Sequence, residues 1–227
     1  MNPRNSGTNE TGTRVRVVGE ALIDIIASPD GSVREHVGGS PANVAVGLAR
    51  LEHPTELAAW IAPDAHGRRI MSLLASEGVL LANGSAGASR TPTATATIDE
   101  SGAASYQFDL SWDPPLAVAS GAQEDTHVHT GSIAATLPPG ADAVLREIRT
   151  SQPTSTISYD PNVRPALMGS PDQVRPRIES LVGLSDIVKA SEEDLSCCTP
   201  APHPTRCSPC GPLPGRRSWW PRREPTP

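Results

Sequence analysis

Apolar residues along this chain fall into two kinds of run. Continuous blocks rich in β-branched residues predict buried strands: VRVVGEALIDII (15–26), TELAAWIA (55–62), THVHTGSI (126–133), TISYDPNV (156–163) and SDIVKAS (185–191). The first is expected to be one strand that bends at Gly19. Between the blocks, apolar residues recur at helical spacing. VGGSPANVAVGLARL (37–51) predicts a helix with Ser40 as N-cap, Pro41 at the first helical position and Val44, Leu48 and Leu51 as its buried stripe. GRRIMSLLASEG (67–78) predicts a second helix, stopped by Gly78. Further helices are expected over 141–150 and near 174–182, the last tolerating Pro176 only if it starts nearby. TATATID and ASYQFD flank Glu100-Ser101-Gly102 and predict a hairpin over about 93–109, outside the main sheet. Strands spaced by helices imply an α/β fold: a parallel sheet with helices on both faces and ligands at the carboxyl ends of the strands.

The pattern stops at Leu195. Residues 196–227 hold nine prolines, five arginines and all four cysteines, a composition expected to support neither strand nor helix. Residues 1–14 are polar and read as a disordered leader without a secretory apolar segment. The net charge is −6, with five arginines against Glu224 in the tail, so residues 1–195 carry −10. An acidic body argues against a nucleic-acid surface. No run is long enough to span a membrane. The cysteine-free body fits a reducing compartment, and a soluble, cytoplasmic protein is expected.

Candidate chemistry gathers at four places. Gly38-Gly39-Ser40-Pro41-Ala42-Asn43 puts backbone N–H groups and a helix start beside a polar side chain, Asn43. Such an arrangement suits a polyhydroxylated ligand, or is merely a glycine-rich helix cap. It is neither GxxxxGK[ST] nor GxGxxG. Asp24 stands amid Leu22, Ile23, Ile25 and Ile26. Its carboxylate can accept from two hydroxyls of one sugar, or from backbone N–H groups at a strand end. Asn162 and Arg164 in DPNVRP could hold phosphate or sugar oxygens, or form a plain turn. In KASEEDL (189–195) the acidic cluster could organise Mg²⁺ through water, or simply favour a helix start.

Taken in this order, the four elements resemble the PfkB/ribokinase family of carbohydrate kinases, fructokinase-like branch, over residues 15–195. GEALIDII is similar to the family's first strand and VGGSPANVAVGLARL to its N-terminal glycine motif. Asp64-Ala65-His66-Gly67 matches the D-x-x-G that follows, the 93–109 hairpin the lid, and YDPNVRPAL and KASEEDL the later motifs. The resemblance implies a ribokinase-like fold that transfers phosphate from ATP, with Mg²⁺, to a hydroxyl of a small sugar. It implies sugar contacts from Asp24, Gly38, Gly39 and Asn43. Nucleotide or phosphate contacts would come from Asn162, Arg164 (a phosphate stabiliser), Ser191 and Asp194, with Asp194 an indirect support for Mg²⁺. Pairing of lids in a homodimer is a further implication.

Departures from the family pattern also stand out. Glu52 and Ala62 replace usual glycines, and Ser191 and Asp194 replace the Asn and Glu of N-x-x-E. The family's D-T-x-G-A-G-D stretch, which carries the catalytic base and anion hole, does not occur in these 227 residues. The expectation is therefore a partial kinase domain over 15–195 without its C-terminal third, inactive as given, followed by an unstructured tail over 196–227. Out-of-frame translation accounts for that tail better than a zinc site drawn from Cys197, Cys198, His203, Cys207 and Cys210, or an evolved Pro-rich segment. The rival to a kinase is a non-catalytic remnant that binds sugar or dimerises through its lid.

Overall fold

The computed structural model describes residues 14–99, 101–116, 127–131 and 133–198. Most of the expected leader and the tail beyond Cys198 lie outside the described residues. Six strands form an all-parallel sheet in the order β10-β9-β8-β1-β4-β5. They are β1 (Val15–Val18), β4 (Thr55–Ala58), β5 (Leu80–Leu81), β8 (His127–Gly131), β9 (Thr156–Asp160) and β10 (Ile187–Val188). Four more form a second sheet in the order β3-β2-β6-β7: β2 (Leu22–Ala27), β3 (Val33–Gly38), β6 (Thr93–Ile98) and β7 (Ala104–Asp109).

The expected single strand over 15–26 is thus two strands in two sheets. The chain leaves the main sheet at Gly19 and enters the small one at Leu22, although Val15, Val17, Ala21 and Ile23, on both sides of Glu20, share one core cluster. Val15 and Val17 pack beneath the helices, while β2 pairs antiparallel with β3 and parallel with β6. The 93–109 hairpin does lie outside the main sheet, but as half of a four-stranded lid. The other half was illegible: in VREHVG only two of six positions are apolar, and β3 is mostly exposed on an edge.

Helices cover both faces. Helix α1 (Ser40–Arg50) and α2 (Ala65–Ser76) pack against one, through Ala42, Ala45, Ile70 and Leu74. Helix α3 (Ala141–Ser151) and α5 (Pro171–Leu184) pack on the other, where Val144, Ile148, Val174, Ile178 and Leu181 sit at i, i+4 and i+7 intervals. Each of these buried aliphatics contributes about 1.5–3 kcal/mol. Two short helices, α4 (Pro165–Met168) and α6 (Glu192–Cys198), follow β9 and β10. Helix α6 runs three residues past Leu195, so the helical segment extends into the stretch expected to be irregular.

Other boundaries shift for local reasons. The strand expected over 55–62 ends at Ala58, after which the backbone bonds to the 82–91 loop through Ala59, Ile61 and Ala62 rather than to a neighbouring strand. Gly39, not Ser40, is the N-cap of α1, with Ser40 the first helical residue. The stripe of α1 is shifted as well: Ala42 and Ala45 are buried, whereas Leu51 lies past the helix end and is 71% exposed. Helix α5 begins at Pro171, earlier than 174, with a capping box between Ser170 and Gln173. Pro176 therefore sits in its second turn, where the i→i−4 bond to Asp172 is given up. Glu52 has φ 64°, the left-handed region in which its usual glycine counterpart carries no penalty.

One charged group lies in the interior of the sheet. Arg16 on β1 bonds Glu147 of α3 and Glu56 of β4. Burial alone would depress its pKa, but the two carboxylates outweigh that and hold it above the ordinary value.

Candidate functional site

All six strands of the main sheet run the same way, so their carboxyl ends share one edge. The chain builds outward from β1 to β4 and β5, then returns to β8 on the other side of β1 and continues to β9 and β10. That reversal makes β1/β8 a topological switch point, the position where open α/β sheets leave a crevice. At the switch point Thr130 donates to the carbonyl of Val18 at 2.9 Å, and Glu20 accepts from the N–H of Ala134 at 3.1 Å. Glu20 is only 5% exposed. It was not singled out in the sequence, although a carboxylate between VRVV and ALIDII carries the same signal that marked Asp24.

The lid-side cluster stands above the β1 end. Asp24 lies mid-strand on β2, opposite His36 on β3 and Ala94 on β6. This corrects its expected place at the end of the first strand of the main sheet. A Cβ on Gly38 would fall 2.0 Å from Asp24 Oδ2, so the carboxylate occupies the space that the glycine leaves open. Partial burial pushes the Asp24 carboxyl above its ordinary value, with His36 opposing. Gly39 follows at φ 103°, and a Cβ there would meet the carbonyl oxygen of Glu20 at 2.5 Å. The glycine pair is therefore demanded twice over, by a side chain at Gly38 and by backbone at Gly39. Asn43 is exposed at the fourth position of α1, its N–H bonded to the Gly39 carbonyl. Asp24, Gly38, Gly39 and Asn43 are thus gathered where the lid meets the start of α1.

Asp64 anchors the same region from below. Its side chain caps α2 by accepting from Gly67 N–H at 2.8 Å and also accepts from the N–H and hydroxyl of Thr91, just ahead of β6. Burial pushes the other way, but these donors hold the carboxyl below its ordinary value.

A second cluster lies beyond β9 and β10. Asp160 ends β9, and Lys189 Nζ reaches its Oδ2 at 3.1 Å, while its buried Oδ1 has no hydrogen-bond partner. Asn162 takes φ 38° in the loop that follows. Arg164 is exposed, and its guanidinium turns back onto the carbonyl of Val163 at 3.0 Å. Asp194 is 4% exposed; its carboxylate accepts from Val163 N–H at 2.6 Å and from the Ser191 N–H and hydroxyl at 2.7 Å each. Those donors outweigh burial and hold its carboxyl below the ordinary value. The structure thus brings Asn162, Arg164, Ser191 and Asp194 together, with Asp194 as the tie between the 161–164 loop and α6. Among the described residues there is no group of three His, Cys, Asp or Glu side chains placed to hold a metal ion. None of the described helices is long and apolar enough to cross a membrane.

Comparison with known proteins bears on the family and the fold of the chain. A family model described as pfkB family carbohydrate kinase matches residues 13–209. A fructokinase of Vibrio alginolyticus is 29% identical over 191 residues, covering 80% of this chain and 61% of the relative. Among solved structures, the fructokinase of Xylella fastidiosa with bound ATP aligns with a TM-score of 0.66 at 25% identity, over 82% of this chain and 60% of that one. The fructokinase of Vibrio cholerae O395 in its fructose-, ADP- and calcium-bound form aligns with a TM-score of 0.65 at 28% identity, over 81% and 62%. The chain spans about 61% of the length of the curated relatives it matches.

Proposed function

This chain belongs to the pfkB family of carbohydrate kinases, and from that premise we propose that it carries the sugar-binding half of a kinase phosphorylating a small keto-sugar of the fructose type. The observation that carries the reading is the Asp24 carboxylate held in the space above Gly38, next to Gly39 and the first turns of α1. A carboxylate with a free face can accept from two neighbouring hydroxyls, and Asn43 can both donate and accept beside it. The lid, by closing over a bound sugar, would exclude water from the transfer. The names of the fructokinase relatives, and the fructose in one neighbouring structure, support the choice of sugar.

ATP is the proposed phosphoryl donor, with Arg164 swinging from its own backbone to the transferred phosphate and Asn162 and Ser191 beside it. Negative charge on the transferring phosphoryl group is what such residues neutralise. Mg²⁺ does not fit as a direct ligand of Asp194, whose oxygens already accept three protein hydrogen bonds in a buried site. The part of Asp194 in this reading is to hold the phosphate-side loop in place. The base of the reaction lies in the family's D-T-x-G-A-G-D stretch, which these 227 residues do not contain. A positioned base is worth about 10²–10⁴-fold, so this polypeptide by itself is proposed to bind sugar and to turn it over poorly. We place it in the cytoplasm, with 15–195 as one partial kinase domain.

Calorimetry decides the binding half. Fructose should bind the parent chain, and Asp24→Ala should abolish that binding without altering the unfolding midpoint; equal affinity in the variant would discard the site. A coupled ATP/fructose assay with ordinary turnover would discard the inactivity. A second reading is favoured by β7, a lid edge strand on which Tyr106 is 67% exposed and stacks on Phe108 at 6.3 Å. In that reading the lid pairs with a second copy; sedimentation of a dimer that Tyr106→Lys dissociates would support it.

A further inference from the structure

We infer that His36 is a sugar-contacting residue of the lid and sets the preference for fructose over its C3 and C4 epimers, an inference that rests on the sugar-site reading above. His36 lies on β3 directly across from Asp24 on β2, in an antiparallel pair. Side chains directly opposite one another stand on one face of a sheet, with Cβ atoms about 4.5–5.5 Å apart. His36 therefore projects from the same face as Asp24, and as Gly38 two positions further along β3. Across the lid this row reads His36, Asp24, Ala94 and Phe108, so within it the imidazole is the polar neighbour of the carboxylate.

Both groups are open to a ligand. Asp24 and His36 are exposed, and among the described residues neither side chain makes a hydrogen bond. They are within electrostatic reach of one another, since His36 opposes the effect of burial on the Asp24 carboxyl. The next residue back, Glu35, points to the opposite face. There Arg69 of α2 donates to its carboxylate at 3.0 Å and to its carbonyl oxygen at 2.6 Å. That tie seats β3 against α2 and leaves His36 facing away from the helix, on the Asp24 side. The two side chains differ in what they can recognise. A carboxylate only accepts, whereas a neutral imidazole has one donor and one acceptor nitrogen. A hydroxyl beside the two that Asp24 takes can therefore bond His36, and a third fixed hydroxyl specifies a ring configuration that two leave open. A site built to hydrogen-bond a hydroxyl rejects an analogue in which that group is misplaced.

Calorimetry of the full chain with D-fructose, its C3 epimer D-psicose and its C4 epimer D-tagatose tests it. The parent chain should bind fructose more tightly than either epimer. His36→Ala should weaken fructose binding by about tenfold and narrow the margin over at least one epimer. His36→Gln keeps a donor and an acceptor on that face and should stay within about threefold of the parent. Unchanged fructose affinity and unchanged margins in His36→Ala overturn the inference and leave the Asp24 site standing. A uniform loss across the three sugars, or a loss in His36→Gln as large as in His36→Ala, makes the histidine a structural residue and overturns it as well. So does equal affinity of the parent chain for all three sugars. Absence of fructose binding by the parent chain overturns the sugar-site reading and this inference together.

Discussion

Single residues are where this chain departs most visibly from the pattern it resembles, and where its constraints are sharpest. Glu52 takes φ 64° just past α1, with its N–H bonded to the Ala49 carbonyl. A residue with a Cβ costs about 1 kcal/mol more than glycine in that region. Glu52→Gly should therefore stabilise the chain by roughly 0.5–1 kcal/mol in urea denaturation, since part of the gain is offset by the freedom glycine adds to the unfolded chain. At Gly38 the constraint is a neighbour rather than a dihedral. An added methyl there would meet the movable end of Asp24, so Gly38→Ala should leave the melting temperature nearly unchanged while displacing the carboxylate. Fructose affinity, measured by calorimetry, should fall by at least about tenfold, the loss of one charged hydrogen-bonding group.

Elements are held to one another by a few polar contacts as well as by their apolar faces. Arg16 joins β1, β4 and α3 through Glu56 and Glu147, all within a sheet–helix interface otherwise made of Val144 and Ile148 against Val18 and Ile157. Removing one partner of a buried pair strands the other charge. Arg16→Ala should destabilise the chain by about 3–5 kcal/mol, read as a shift in the denaturation midpoint. The same change should have no direct effect on the sugar or phosphate clusters, which lie at the opposite, carboxyl edge of the sheet. The elements also differ in how legible they were. Helices α2, α3 and α5 have apolar residues at helical spacing over three turns, and their existence followed from that alone. Strands β3 and β5 are short, exposed or on edges, and owe their formation to a partner strand rather than to their own pattern, while β10, expected over 185–191, forms but is only Ile187–Val188.

The whole molecule gathers its functional groups by topology and holds them with carboxylates. Asp64 ties α2 to the entry of the lid, and Asp194 ties α6 to the loop after β9. Both titrate below the ordinary aspartate value of 3.8 when folded, because hydrogen-bond donors outweigh the burial that opposes them. Below that value the unfolded chain binds more protons than the folded one, so stability rises with pH there. The contribution is fully present above about pH 4 and is lost as pH falls through the folded values. Urea midpoints should therefore drop as pH falls below about 4, and Asp64→Asn should flatten that dependence. Residue types and periodicity by themselves determined the α/β class, the separate lid hairpin, the glycine-rich helix start and the strand-end loop at 160–165, because each rests on contacts within a dozen residues. Only the tertiary structure decided that residues 15–26 divide between two sheets and that β3 completes the lid. It alone placed Asp24 over Gly38 and turned Asp194 into a tie rather than an open ligand. These depend on pairings of Val15 with Thr55 and His127 and of Ile23 with Thr93, and on side-chain ties such as Asp194 to Val163, all far apart in sequence, and no local pattern encodes that choice.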